Sequence, residues 1–143
     1  MTTAIRDKEQ EIVEEFQSLS NWRDRYRRII ELGRDLPELP EEFRVDKFKV
    51  KGCQSQVWLH PRLEDGNVYF DADSDAAIVR GLIAIILHVY SGHPPDAILA
   101  AEPEFIDDIG LSEHLSQTRS NGLSAMLKQL RMYAFAMKGM QQA

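Results

Sequence analysis

The order of hydrophobic and polar positions divides the chain into three stretches. In the first, apolar residues recur at helical spacing. Ile5, Ile12, Phe16 and Leu19 fall near one face of a first helix. Ser20 and Asn21 offer capping side chains for a second. There Trp22, Tyr26, Ile29 and Ile30 stand at i, i+4, i+7 and i+8, an amphipathic stripe. Gly33 is expected just past the end of this helix, and Pro37 and Pro40 prevent its resumption. Leu36 to Arg44 reads as a proline- and acid-rich connector.

The period then shortens to two. From Gln56 to Glu64, Val57, Leu59 and Leu63 alternate with Trp58, His60 and Arg62. Asp65-Gly66-Asn67 is a hairpin turn signal, because glycine and asparagine accept positive φ. Val68, Phe70 and Ala72 then alternate with Tyr69, Asp71 and Asp73. Pro61 points to an edge position or a bulge. Phe48 to Lys51 is a candidate third strand, in which Lys47, Lys49 and Lys51 would share the face opposite Phe48 and Val50.

The last stretch is helical again. Asp73 or Ser74 is expected to cap a helix with Asp75 in its first turn and a wide apolar face of Ile78, Leu82, Ile85, Ile86 and Val89. Ser91-Gly92-His93-Pro94-Pro95 ends it. A short helix follows from Asp96 to Ala101, then a loop through Pro103. Ser120 or Asn121 is expected to open a final helix carrying Leu123, Met126, Leu127, Leu130, Tyr133 and Met137. The order helices, hairpin, helices implies an α+β fold, a small antiparallel sheet with helices on one face.

Composition narrows the function. With 143 residues, 43% of them hydrophobic and 28% charged, a single globular domain over residues 1–143 is expected. The net charge of -6 argues against a nucleic-acid partner. The most apolar run, Ala76 to Tyr90, falls short of the roughly 20 residues of a membrane span and contains Arg80. No secretory pattern follows Met1, and one cysteine cannot close an internal disulfide, so a reduced, cytoplasmic setting is expected.

That cysteine is the main chemical signal. Cys53 follows Gly52 and precedes Gln54-Ser55-Gln56, which places it on a turn at the lip of the first strand. A free cysteine is often a small buried hydrophobe. Here the lysines upstream would lower its pKa and favour the thiolate, whereas apolar neighbours such as Trp58 would raise it. Both readings stay open on the residues alone. His60, His88, His93 and His114 show no metal-ligand spacing, and neither CxxC nor HExxH occurs, so no metal or cofactor is expected. No flanking residues match a cysteine protease, and no Gly-rich phosphate loop is present. The acid pairs Asp71/Asp73 and Asp107-Asp108 read as solvated. Arg119, in the loop expected before the last helix, is a candidate anion or loop contact.

Taken together, Gly52-Cys53-Gln54-Ser55-Gln56-Val57-Trp58-Leu59, Asp73-Ser74-Asp75-Ala76-Ala77 through Ala84, and Arg119-Ser120-Asn121-Gly122-Leu123 resemble the SufE family of sulfur acceptors. Asn21-Trp22, Ile30-Glu31-Leu32-Gly33 and Leu36-Pro37-Glu38-Leu39-Pro40 fit too, so the resemblance spans nearly the whole chain in order. It implies a fold similar to that of the IscU scaffold. It also implies a sulfur carrier rather than a stand-alone enzyme. Cys53 would accept sulfane sulfur from a SufS-type cysteine desulfurase as a persulfide, stimulate that enzyme, and pass the sulfur to a SufB-type scaffold for iron–sulfur cluster assembly. Lys51, Gly52, Gln54, Asp75 and Arg119 become candidates for holding the cysteine loop or meeting the partner. A monomer or weak homodimer is expected. The alternative is an iron–sulfur scaffold or iron-binding module of IscU-like architecture, which would need ligands from elsewhere.

Overall fold

The computed structural model describes residues 2–142. Its first two helices are α1 (Thr2–Gln17) and α2 (Trp22–Arg34). Asn21 caps α2 as its position predicts, with Oδ1 accepting from the Asp24 amide at 2.9 Å. Helix α1 buries Ile5, Ile12 and Phe16, together with Val13. Gly33 does not end α2. It lies inside the helix and is buried, and Asp35 is the cap. Its role is steric. A Cβ on Gly33 would stand 2.6 Å from the Gly81 nitrogen, and one on Gly81 would stand 2.1 Å from the Ile29 carbonyl. The helices cross backbone to backbone there.

The hairpin forms as expected. Strand β1 (Val57–Glu64) pairs antiparallel with β2 (Asn67–Ser74), in register from Val57 opposite Ser74 to Glu64 opposite Asn67. Asp65 and Gly66 make the turn with φ of 52° and 82°, the paired positive values of a type I′ hairpin. Pro61 sits opposite Phe70 on a strand whose one strand neighbour among the described residues is β2, an edge position where its missing N–H is tolerated. Val57, Leu59, Val68, Phe70 and Ala72 are buried.

The expected third strand is absent. Asp46–Phe48 is instead a 3₁₀ turn, as is Glu41–Phe43. Its backbone meets β1 through the Lys49–Trp58 bridge and the Val50 amide, which donates to the Val57 carbonyl at 2.8 Å. Aromatic packing explains the turn. Phe43 stacks on the His60 ring at 3.6 Å and Phe48 meets it edge-on at 4.7 Å. The lysines therefore do not line one face of an extended strand.

Helix α3 (Ala77–Tyr90) buries the expected Ile78, Leu82, Ile85, Ile86 and Val89, and also Val79 and Ile83. Neither Asp73 nor Ser74 caps it. The cap position is Ala76, whose amide donates to Ser74 Oγ at 3.2 Å, and Asp75 precedes the first turn. Asp73 is also not solvated. It is 1% exposed and holds an ion pair with Arg44 and another with Arg80 at 3.4 Å. Arg80 reaches onward to the carbonyls of Gly33 (3.3 Å) and Leu36 (3.1 Å), so one buried carboxylate joins the connector, β2 and α3. Asp71 is half-exposed and pairs with Arg62 at 2.8 Å.

Helix α4 (Pro95–Ala100) is followed by two short turns of helix, α5 (Phe105–Asp108) and α6 (Leu111–His114). Phe105, Ile106, Ile109 and Leu111 are buried there. Asp107 and Asp108 are exposed, as expected. Helix α7 (Gln117–Gln142) starts earlier than Ser120, because Ser116 Oγ accepts from the Arg119 amide at 3.2 Å and acts as the cap. Helix α3 packs on β2 and α7 on β1, which covers one face of the sheet. The architecture is α+β. Among the described residues no helix is long and apolar enough to cross a membrane.

Candidate functional site

Two backbone closures define the cysteine loop. The Val50 amide donates to the Val57 carbonyl at 2.8 Å. One step inside, the Gln56 amide donates to Asp75 Oδ1 at 3.0 Å, and the Asp75 amide returns to the Gln56 carbonyl at 3.3 Å. Residues 51–56 thus form a loop with a closed neck. Asp75 is a neck residue rather than a cleft residue.

The tip of the loop rests on α7. Gly52 has φ +93°, a left-handed value that glycine adopts without side-chain strain, and a Cβ there would lie 3.3 Å from Ala125 Cβ. Cys53 Sγ donates to the Gly122 carbonyl at 3.5 Å. A Cβ on Gly122 would stand 3.6 Å from the sulfur. The small residues Gly122 and Ala125, three apart on one helix face, give the loop a shallow seat.

Around the half-buried thiol lies an open cleft of about 370 Å³. Its buried lining is apolar, from Val57, Val79, Leu82 and Met126. Gln54, Ser55, Ser116, Thr118 and Arg119 supply the polar lining. Burial pushes the Cys53 thiol above its usual range, and no charged group stands among the causes. Geometry thus decides between the two influences read from the sequence, and the lysines do not prevail. Lys51 is exposed at the start of the loop and is absent from the cleft lining.

Arg119 is exposed, and its guanidinium donates to the Tyr26 hydroxyl at 3.5 Å. It shares the cleft with Cys53 without touching the sulfur. Of the candidate residues, Cys53, Gln54 and Arg119 meet at the cleft, Gly52 shapes the tip, and Asp75 fastens the neck. Sequence reasoning missed Ser116, Thr118, Gly122, Ala125 and Met126. Gly122 carried a signal, because a glycine inside a long helix invites a close neighbour.

The histidines are engaged elsewhere. His114 stacks on Trp22 at 4.2 Å, and His88 meets Glu11 at 2.9 Å. His60 stacks on Phe43, and the main chain of His93 bridges to Val68. Among the described residues no three His, Cys, Asp or Glu side chains group as a metal site.

Comparison with known proteins identifies the family. The family model SufE, described as an Fe-S metabolism associated domain, matches residues 10–134. An uncharacterized SufE-like protein of Rhizobium etli is 51% identical over 126 residues, covering 85% of each chain. An uncharacterized SufE-like protein of Rhizobium meliloti is 44% identical, covering 85% of this chain and 90% of its own. The solution structure of a hypothetical protein from Thermus thermophilus superposes with a TM-score of 0.76 at 25% identity, covering 90% of this chain and 94% of its own. The chain belongs to the SufE family and has its role in iron–sulfur metabolism.

Proposed function

We propose that Cys53 is a transient sulfur carrier that draws sulfane sulfur from a SufS-type cysteine desulfurase and delivers it to a SufB-type scaffold. The observation that carries this reading is the placement of the chain's one thiol. It lies at the edge of an open cleft, on a loop closed at its neck and held at its tip by a long S–H···O contact.

The chemistry follows from thiol exchange. The Cys53 thiolate attacks the outer sulfur of the donor's cysteine persulfide. A bond forms between Cys53 Sγ and that sulfur as the donor's sulfur–sulfur bond breaks. The donor cysteine leaves as a thiolate and takes up the proton that Cys53 releases. No oxidant or reductant is consumed.

Burial keeps the resting thiol protonated at neutral pH and slows wasteful attack and oxidation. Docking of the donor shifts the tip off α7, hydrates the sulfur and returns its pKa toward the usual range. The polar side of the cleft, with Arg119, meets the transferred sulfur or the partner. A solitary thiol suits the task, because a second one nearby would resolve the persulfide to a disulfide and lose the sulfur as sulfide.

Incubation with a SufS-type desulfurase and cysteine, followed by intact mass measurement, tests the reading. The expected product is a gain of one sulfur atom that is absent in Cys53→Ser. An unchanged mass during turnover overturns it.

A further inference from the structure

We infer that the exposed face of the C-terminal half of α7 is a docking site for an acidic amphipathic helix of another protein. Of the large hydrophobic side chains most exposed on the described surface, all but Val45 lie on this face. They are Met132 (56% exposed), Phe135 (69%) and Met140 (63%). Met132 and Phe135 stand at i and i+3 as neighbours, and Met140 follows at i+8, about 140° round the axis from Phe135, at the border of the same exposed side. Lys128 and Arg131 border Met132 and Phe135 in an open depression. Arg131 spends its donors on the Ala101 and Leu99 carbonyls at 3.0 Å, which leaves its charge in place. Neither cation has a carboxylate partner among the described ion pairs. Helix α7 contains no aspartate or glutamate, although the chain carries a net charge of -6.

Packing within the fold does not account for this exposed side. The core side of α7 is filled by Leu123, Met126, Leu130 and Ala134. The family match ends at residue 134, so Phe135 and Met140 lie outside the matched segment. Methionine beside an aromatic ring makes a soft surface that adapts to a partner's apolar stripe.

The occupant follows from charge and area. Two copies of α7 laid against each other would bring cations to cations. The acidic helix α1 of a second copy is no better, because its apolar face is buried in its own core. With side chains of roughly 200 Å² each, the three residues expose on the order of 400 Å², about half of what one side of a stable dimer buries. That area suits one helix carrying an apolar stripe flanked by carboxylates. An anionic bilayer is disfavoured, because two cations work against the net charge of the whole chain and three side chains give a shallow anchor. Along the helix axis, Phe135 lies roughly 20 Å from Gly122 at 1.5 Å per residue, so an occupant there leaves the thiol free.

The test uses the full chain with methyl-labelled methionine and two designed helical peptides. Both carry the same leucine stripe, one flanked by glutamate and the other by lysine. The acidic peptide is expected to bind with micromolar affinity and to shift the Met132 and Met140 methyl signals. Met132→Ser with Phe135→Ser, both exposed and compatible with folding, is expected to weaken binding at least tenfold. Lys128→Glu is expected to reduce the preference for the acidic peptide. Equal or tighter binding of the lysine peptide overturns the proposal. So does an absence of methyl shifts, binding of phosphatidylserine vesicles through this face without peptide binding, or a concentration-dependent dimer that Phe135→Ser abolishes.

Discussion

Two helix contacts in this molecule rest on glycine, and they differ in kind. At the α2–α3 crossing, a Cβ on Gly81 would enter the Ile29 carbonyl at 2.1 Å. At the seat of the cysteine loop, a Cβ on Gly122 would meet the sulfur at 3.6 Å, an ordinary van der Waals distance. The first contact is backbone against backbone and is reinforced by the Asp73 ion pairs beside it. The second is one long hydrogen bond and a small-residue face. The same residue type therefore serves a permanent seam in one place and a separable contact in the other. The separable one holds the thiol.

Substitutions sharpen that contrast. Gly81→Ala forces the two helices apart and is expected to cost about 3 kcal/mol in chemical denaturation. A loss below about 1 kcal/mol would show that the seam gives as easily as the loop seat. Asp73→Asn leaves Arg44 and Arg80 without their carboxylate. The expected loss is about 2 kcal/mol, less than for a fully enclosed pair because both guanidiniums reach solvent. Cys53 alkylation should change little, since Asp73 belongs to the fixed side.

Gly52→Ala places a side chain at φ +93° and against Ala125, with an expected cost of about 1 kcal/mol. Its clearer readout is faster alkylation of Cys53 as the tip lifts. Gly122→Ala meets the sulfur at an ordinary contact distance and gains helix propensity, so stability should stay level or rise by up to about 1 kcal/mol. A large loss there would make the loop seat a second seam.

The smallest effect concerns pH. Burial raises the thiol pKa in the folded state, so the protein's alkylation profile should lie above that of a free cysteine. The sign for stability follows. Below the ordinary thiol range both states are protonated and nothing changes. As pH rises through it the unfolded chain ionises first, and the native state loses stability. Lys51→Glu should leave the profile in place, because Lys51 is exposed and stands outside the cleft that holds the thiol.

Periodicity was sufficient where one face of an element meets the core. Ile5 to Phe16, Val57 to Ala72 and Ile78 to Val89 bury the residues that spacing selects, apart from Leu63, which is half-buried near the hairpin end. It was insufficient where long-range partners decide. Asp73 reads as a solvated strand residue until Arg44 and Arg80 arrive from distant segments. Phe48 reads as strand until Phe43 and His60 claim its ring. Phe105 to Leu111 is too short and irregular for a period to show, yet it is core. The Cys53 turn was legible from Gly52 and the strand that follows. Its seat was not, because Gly122 lies 69 positions away and nothing local ties it to the thiol.

The closed neck sets a tether length. Cys53 stands three residues from Val50, so with the neck intact its backbone travels no further than about 10 Å from the Val50–Val57 hydrogen bond. A sulfur donor recessed deeper than that, plus one side chain, is out of range. The loop therefore selects partners by depth as well as by surface. Lengthening residues 51–56 by a few glycines would widen the set of donors it can serve, while diluting the thiol at each of them.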